Sequence, residues 1–158
     1  MKIINIVIST LFSCFLLLSC QRSAKEVALL QRTFFGDTWE RFDYVRNDVE
    51  IKAETTYDLS LNISFTEDYP YDYIDLVFTV FTNDGERYRS KEYKSKLKDV
   101  EGRWSSEMIN GCYTFTLPIN KQLNISEPGT YRFQIEQRMP ITPLIGIKEL
   151  TLINNGKN

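Results

Sequence analysis

The feature that most constrains the fold is a repeat of two in the positions of the apolar residues. Between Tyr57 and Phe65 every odd-numbered residue is apolar and every even-numbered residue is polar. This alternation is typical of a β-strand that buries one face, because successive side chains of a strand point to opposite sides of the sheet. The odd-numbered residues are therefore predicted to face a hydrophobic core.

Further segments of the chain carry related patterns. Residues 74–82 are apolar on both phases, as in a strand that is covered on both faces. Turn residues at 83–85 and a polar, charged segment at 87–94 follow, which predicts a hairpin and a sheet edge protected by charge. The other predicted strands lie near residues 39–44, 49–53, 113–117, 131–135 and 147–153. About seven or eight short strands without helical runs between them predict an all-β fold, an antiparallel β-sandwich.

The first nineteen residues have the composition of a targeting sequence. Lys2 precedes an uncharged run at residues 3–18, in which twelve of the sixteen residues are apolar. This run is too short to span a bilayer comfortably and fits a secretory signal peptide over residues 1–19. Its end, Leu-Leu-Ser-Cys at residues 17–20, resembles the bacterial lipoprotein signal. That resemblance implies cleavage before Cys20 and acylation of this cysteine, for example with palmitate; the alternative is an ordinary signal that leaves Cys20 as a free thiol.

Acylation of Cys20 would tether the mature protein to a membrane without a spanning helix. More than one acyl chain supplies the two anchoring signals that stable attachment requires. Residues 20–35 are predicted to form the lipidated N-terminus and a tether with a short helical fragment, because good helix formers begin at Ala24. The β-sandwich domain is then predicted over residues 36–154, and residues 155–158 form a polar tail.

Composition excludes several classes of function. The 158 residues include no histidine, the side chain most used for proton transfer and metal binding, which argues against most catalytic triads and zinc sites. With 21 acidic and 19 basic residues, a nucleic-acid partner is not expected. Cys112 has no partner for an intramolecular disulfide, and we expect an inert rather than a reactive thiol. No catalytic, cofactor or metal site is predicted, and the protein is not expected to be an enzyme.

One aromatic segment is a candidate contact site. Tyr69, Tyr71 and Tyr73 lie within five residues around a proline. Exposed aromatic rings commonly anchor sugars or protein partners, so these tyrosines, together with Trp104, are candidate contacts for a partner protein or a glycan. The alternative is that the rings pack over the edge of the core while their hydroxyl groups stay in water.

Several short motifs follow one another along the chain. They are Phe42-Asp43-Tyr44, Tyr69-Pro70-Tyr71, Asp84-Gly85, Gly102-Arg103-Trp104, and the stretch of residues 129–139 followed by Pro-Leu-Ile-Gly-Ile at residues 143–147. With the lipoprotein signal in front of them, they resemble the gliding-motility lipoprotein GldH family of the Bacteroidetes. The resemblance covers about residues 37–153.

The resemblance implies a lipid-anchored lipoprotein of the cell envelope that serves gliding motility without enzymatic activity or a cofactor. It also implies a protein partner within the gliding machinery. Surface lipoproteins of these bacteria often carry acidic residues just after the cysteine, whereas Arg22 and Lys25 follow here, which favours the periplasmic face of the outer membrane. The competing hypothesis is a glycan-binding lipoprotein of the outer membrane.

We expect the Cys20→Ala variant to lose the membrane anchor, because the other cysteine of this region, Cys14, lies inside the predicted signal peptide and would be removed with it. Cells fed labelled palmitate and then fractionated should show an unlabelled protein outside the membrane fraction. Cys14→Ala, inside the predicted signal peptide, is the matched control and should keep both label and location. A labelled, membrane-bound Cys20→Ala protein would contradict the prediction.

Overall fold

The structure is a computed structural model that describes residues 26–156. The predicted signal peptide, Cys20 and the last two residues of the predicted tail lie outside this range. Within it, no helix has the length and apolar character needed to cross a membrane. Its strands are β1 (Val27–Thr33), β2 (Thr38–Trp39), β3 (Val45–Ile51), β4 (Thr55–Phe65), β5 (Tyr73–Phe81), β6 (Arg87–Lys96), β7 (Met108–Ile109), β8 (Cys112–Ile125), β9 (Gly129–Gln137), β10 (Leu144–Ile145) and β11 (Ile147–Asn154).

The strands form two antiparallel sheets and a short ribbon. The first sheet has the order β1-β11-β4-β8-β7, the second has the order β3-β9-β5-β6, and β10 pairs with β2. Inner side chains of the two sheets meet, as in the edge-on contact between the rings of Tyr57 and Phe133, whose centroids lie 5.7 Å apart. The predicted all-β antiparallel sandwich is therefore confirmed.

Strand β4 lies at the centre of the first sheet and buries its odd-numbered face as predicted. The buried residues of this face are Tyr57, Leu59, Leu61, Ile63 and Phe65, none more than 7% exposed. Strand β9 of the second sheet shows the same alternation, with Tyr131, Phe133 and Ile135 buried. Full burial of one such side chain contributes about 1.5–3 kcal/mol.

The hairpin of β5 and β6 also follows the prediction. Strand β5 lies between β9 and β6 and is buried on both phases over most of its length, whereas β6 is an edge strand with mostly exposed, charged side chains. The hydroxyl groups of Tyr88 and Tyr93 on β6 donate hydrogen bonds to the carbonyls of Asn124 and Ile119 on β8. These two bonds connect the sheets along one side of the sandwich.

The structure corrects the predicted N-terminal helical fragment. Residues Val27–Thr33 form an edge strand that pairs with β11, inside the segment that the sequence assigns to the tether. Only Leu30 of the seven residues is buried, so the strand shows no alternation of apolar residues. Hydrogen bonding to β11 outweighs the helix propensity of the local sequence.

The segment between β1 and β4 also differs from the prediction. The strand expected near residues 39–44 is limited to Thr38–Trp39, because the chain turns at residues 40–43, where the Asp43 amide donates to the Glu40 carbonyl (3.2 Å). The strand expected near residues 49–53 starts earlier and spans Val45–Ile51. A 3-10 turn at Phe35–Asp37 is the only helical element of the described chain.

The strand register places the loops at two opposite ends of the sandwich. In the ladder of β1 with β11, Val27 pairs with Asn154 and Thr33 pairs with Glu149. The described chain thus begins at one end, here called the proximal end, together with the turns at residues 52–54, 82–86 and 126–128. The segments at residues 34–44, 66–72, 97–111 and 138–146 lie at the other end, here called the distal end.

A close backbone contact fixes two distal loops to each other. The amide of Thr66 donates to the carbonyl of Gly146 (2.9 Å). Gly146 has a φ of +79°, and a Cβ atom at this position would lie 2.5 Å from the backbone nitrogen of Tyr69. Only glycine fits here, because any side chain would collide with the backbone and strain the left-handed conformation.

We expect Gly146→Ala to destabilise the protein by about 2–5 kcal/mol, since the cost of positive φ adds to the cost of overpacking. Urea unfolding of the purified protein measures this change. Gly102→Ala is the matched control, because Gly102 has the same φ of +79°, while no atom of the described residues lies within 4 Å of the added Cβ. Equal losses of stability in the two variants would show that the contact with Tyr69 is unimportant.

Candidate functional site

Exposed apolar side chains are concentrated at the distal end of the sandwich. Ten large hydrophobic residues are exposed in the described chain, and eight of them belong to the distal segments: Phe35, Phe42, Tyr44, Val100, Met108, Ile109, Ile141 and Ile145. Phe35 is fully exposed and Phe42 is 77% exposed. The other two, Val27 and Tyr88, lie outside these segments. Grouped apolar residues on a surface mark interaction sites, whereas single ones do not.

The structure brings the four predicted aromatic contact residues together at this end. The ring centroid of Tyr69 lies 5.9 Å from that of Tyr71 and 6.2 Å from that of Trp104, and Tyr73 lies 5.9 Å from Tyr71. Tyr69 itself is only 1% exposed, and its hydroxyl donates to the Tyr73 carbonyl (2.8 Å). Tyr69 is therefore part of the core and not a surface anchor.

Contacts within the protein also occupy the rings around Tyr69. Trp104 stacks on Tyr113, with centroids 4.5 Å apart and planes 13° from parallel. The Lys98 ammonium lies 4.6 Å from the Trp104 centroid, and the Lys94 ammonium lies 4.4 Å from the Tyr73 centroid. Cation–π contacts of this kind hold a lysine over the ring face that a sugar would use. The geometry fits rings that pack over the edge of the core.

Burial also determines the ionisation of Tyr69. Loss of solvent raises the pKa of its hydroxyl far above the ordinary value, and the neighbouring Tyr71, Tyr73 and Asp72 raise the pKa further. The hydroxyl is therefore protonated at every physiological pH and keeps its hydrogen bond to the Tyr73 carbonyl. This arrangement stabilises the loop and provides no acid or base for chemistry.

A cleft that we did not predict from the sequence lies beside these loops, where β3 departs from β9. The ladder of the two strands ends at the pair Val45 and Ile135, although β9 continues to Gln137 along β5. The cleft has a volume of about 460 Å³ and is lined by Arg41, Phe42, Tyr44, Glu136, Gln137, Arg138, Met139 and Pro140.

Hydrogen bonds from Trp39 and Arg41 fix the walls of this cleft. The indole nitrogen of Trp39 donates to the carbonyl of Asp43 (2.7 Å), which fixes the turn before β3. The guanidinium of Arg41 donates to the carbonyls of Met139 (2.8 Å) and Pro140 (3.2 Å) and joins the walls again beyond the cleft. The cleft is thus bounded by the last pair of a strand ladder on one side and by an arginine on the other.

Titratable groups elsewhere form structural pairs. Asp43 pairs with Arg32 (2.8 Å), and Asp48 pairs with Arg132 (2.8 Å), whose hydrogen bond lowers the pKa of the Asp48 carboxyl. Cys112 is buried. Across residues 26–156, no three histidine, cysteine or carboxylate side chains lie close enough to hold a metal ion.

Solved structures with a distantly similar chain fold include the following three. A protein from Sulfurospirillum deleyianum, GEBA250068378, is 15% identical, with 85% of this chain and 99% of that chain covered and a TM-score of 0.41. A chain from the crystal structure of the T13 viral particle of IBDV is 8% identical. The match covers 82% of this chain and 29% of that chain, with a TM-score of 0.42. Latent PorU from Porphyromonas gingivalis is 8% identical, covers 82% and 12%, and has a TM-score of 0.38. These likenesses are too distant to bear on function.

The comparison with curated proteins finds no match. The comparison with protein families finds the GldH lipoprotein family over residues 30–152, a range that starts within β1 and ends within β11. The match therefore spans both sheets and every distal segment. The chain belongs to the GldH lipoprotein family.

Proposed function

We propose that the protein is anchored by lipid at Cys20 to the periplasmic face of the outer membrane and holds a protein partner of the gliding machinery, without catalysing a reaction. Membership of a lipoprotein family supports a membrane-associated location in the cell envelope. The absence of histidine from the sequence supports a role that is not catalytic.

The observation that carries this proposal is the position of the exposed apolar residues relative to the N-terminus. Eight of the ten exposed large hydrophobic residues lie at the distal end, and the described chain begins at the proximal end. A tether of residues 20–26 extends no more than about 25 Å from the membrane. The anchored domain would then turn its apolar loops away from the membrane that holds it, where a protein partner can bind them.

Photo-crosslinking in living cells tests the orientation and the partner. We expect p-benzoylphenylalanine at Ile109, in the distal segment 97–111, to crosslink the tagged full-length lipoprotein to a component of the gliding machinery. The same probe at Tyr88, which is 41% exposed but lies outside the distal segments, is the control and should give at least tenfold less product. Equal yields from both positions, or no reproducible product from Ile109, would refute the proposed function.

The alternative of a glycan-binding lipoprotein has less support, because Tyr69 is buried and the rings of Trp104 and Tyr73 contact Tyr113 and lysines. We expect tryptophan fluorescence to stay unchanged when a panel of oligosaccharides is added to the protein. The chain has two tryptophans, and Trp39 is fully buried, so a response would come from Trp104. A saturable change that disappears in Trp104→Phe would favour the glycan hypothesis.

A further inference from the structure

The cleft between β3 and β9 contains a side-chain amide whose oxygen is hydrogen-bonded and whose nitrogen is not. Gln137 is only 2% exposed, and its Oε1 accepts a hydrogen bond from the Met139 amide (2.9 Å). Its Nε2 has no hydrogen-bond partner among residues 26–156. A buried donor without a partner costs about 1–3 kcal/mol, and this cost would be recovered if the side chain turned toward the cleft and met an acceptor from another molecule.

The backbone N–H and C=O of Gln137 face the side of the sheet on which β3 lies. The amide of Arg138 donates to the Asp75 carbonyl on β5 (2.8 Å). Because consecutive residues of an antiparallel strand direct their backbone groups to opposite sides, the N–H and C=O of Gln137 face the side of β3. The β3 ladder ended two residues earlier on β9, at Ile135. Asp43, which would continue the ladder opposite Gln137, instead accepts a hydrogen bond from Trp39.

The cleft therefore presents the edge of a strand with one residue of its ladder missing. The register directs the N–H and C=O of Gln137 to this missing position, and its side-chain amide adds a donor. Gln137 is almost fully covered in the free protein, so a ligand reaches these groups only after the cleft opens. Next to them stand the apolar side chains of Phe42 and Tyr44, the first of which is 77% exposed. An extended peptide matches this set, because it carries a carbonyl and an amide on one side and side chains at regular intervals.

We propose that the cleft binds an extended peptide segment of the protein partner, which pairs with Gln137 and places an apolar side chain against Phe42 and Tyr44. This inference rests on the proposed function, since the segment belongs to the partner that the distal end holds. The volume of about 460 Å³ fits a few residues and not a folded domain. The remaining distal loops would contact the partner outside this segment.

The test places p-benzoylphenylalanine at Tyr44 in the cleft and, separately, at Ile109 outside it, in the full-length lipoprotein in living cells. We expect the Tyr44 probe to label one short segment of the same partner that the Ile109 probe captures. A partner crosslinked from Ile109 but never from Tyr44 would overturn the cleft proposal and leave the proposed function intact. No crosslink from either position would remove the proposed function and this inference together.

A synthetic peptide with the sequence of the labelled segment then tests Gln137 directly. We expect Gln137→Glu to weaken binding of this peptide to the purified lipoprotein at least tenfold, because the variant keeps the acceptor for Met139 and removes the donor. Gln134→Glu, the same substitution elsewhere on β9, is the control and should bind normally. Phe42→Ala, whose side chain is mostly exposed, provides a second variant if Gln137→Glu does not fold. Wild-type affinity in Phe42→Ala, or in folded Gln137→Glu, would refute the assignment.

Discussion

Contact between the inner faces of the two sheets is the interaction on which the rest of the structure depends. Phe133 of β9 is fully buried, and its ring meets Tyr57 of the first sheet and Phe78 of its own sheet in edge-on geometry, at 5.7 and 6.0 Å. Either sheet alone would expose a row of apolar side chains to water. Packing of the sheets also sets the separation of their edges, and so determines where the connecting loops at each end can meet.

The spacing of apolar residues predicted those strands whose buried faces are visible in the sequence. The alternation in β4 and the doubly apolar β5 follow directly from which faces are buried, so one sequence was enough to predict them. Strand β1 escaped prediction because it lies at an edge and buries a single residue, and its structure comes from hydrogen bonds to β11, more than a hundred residues away in the sequence. Edge strands with little burial carry no periodic signal.

The candidate site was also predictable from the sequence only in part. The grouping of Tyr69, Tyr71 and Tyr73 was visible in the sequence, but their exposure was not, because Trp104 and Gly146 come from distant positions to cover and support them. The cleft was not predictable because its walls come from distant parts of the sequence: Arg41 and Met139, which are hydrogen-bonded across it, are 98 residues apart. The sequence did contain one signal for it: Phe42 and Met139 both lie in the motifs that carry the family resemblance.

Pairing of β1 with β11 has a mechanical consequence. Six residue pairs, from Val27 with Asn154 to Thr33 with Glu149, join the first described strand to the last one. A pull between an anchored N-terminus and a partner on the distal loops would act parallel to these strands. The backbone hydrogen bonds would then be sheared together instead of being opened one after another like a zipper. If the proposed anchor and partner hold the domain in this way, the antiparallel pairing of its first and last described strands would resist force along the line between them.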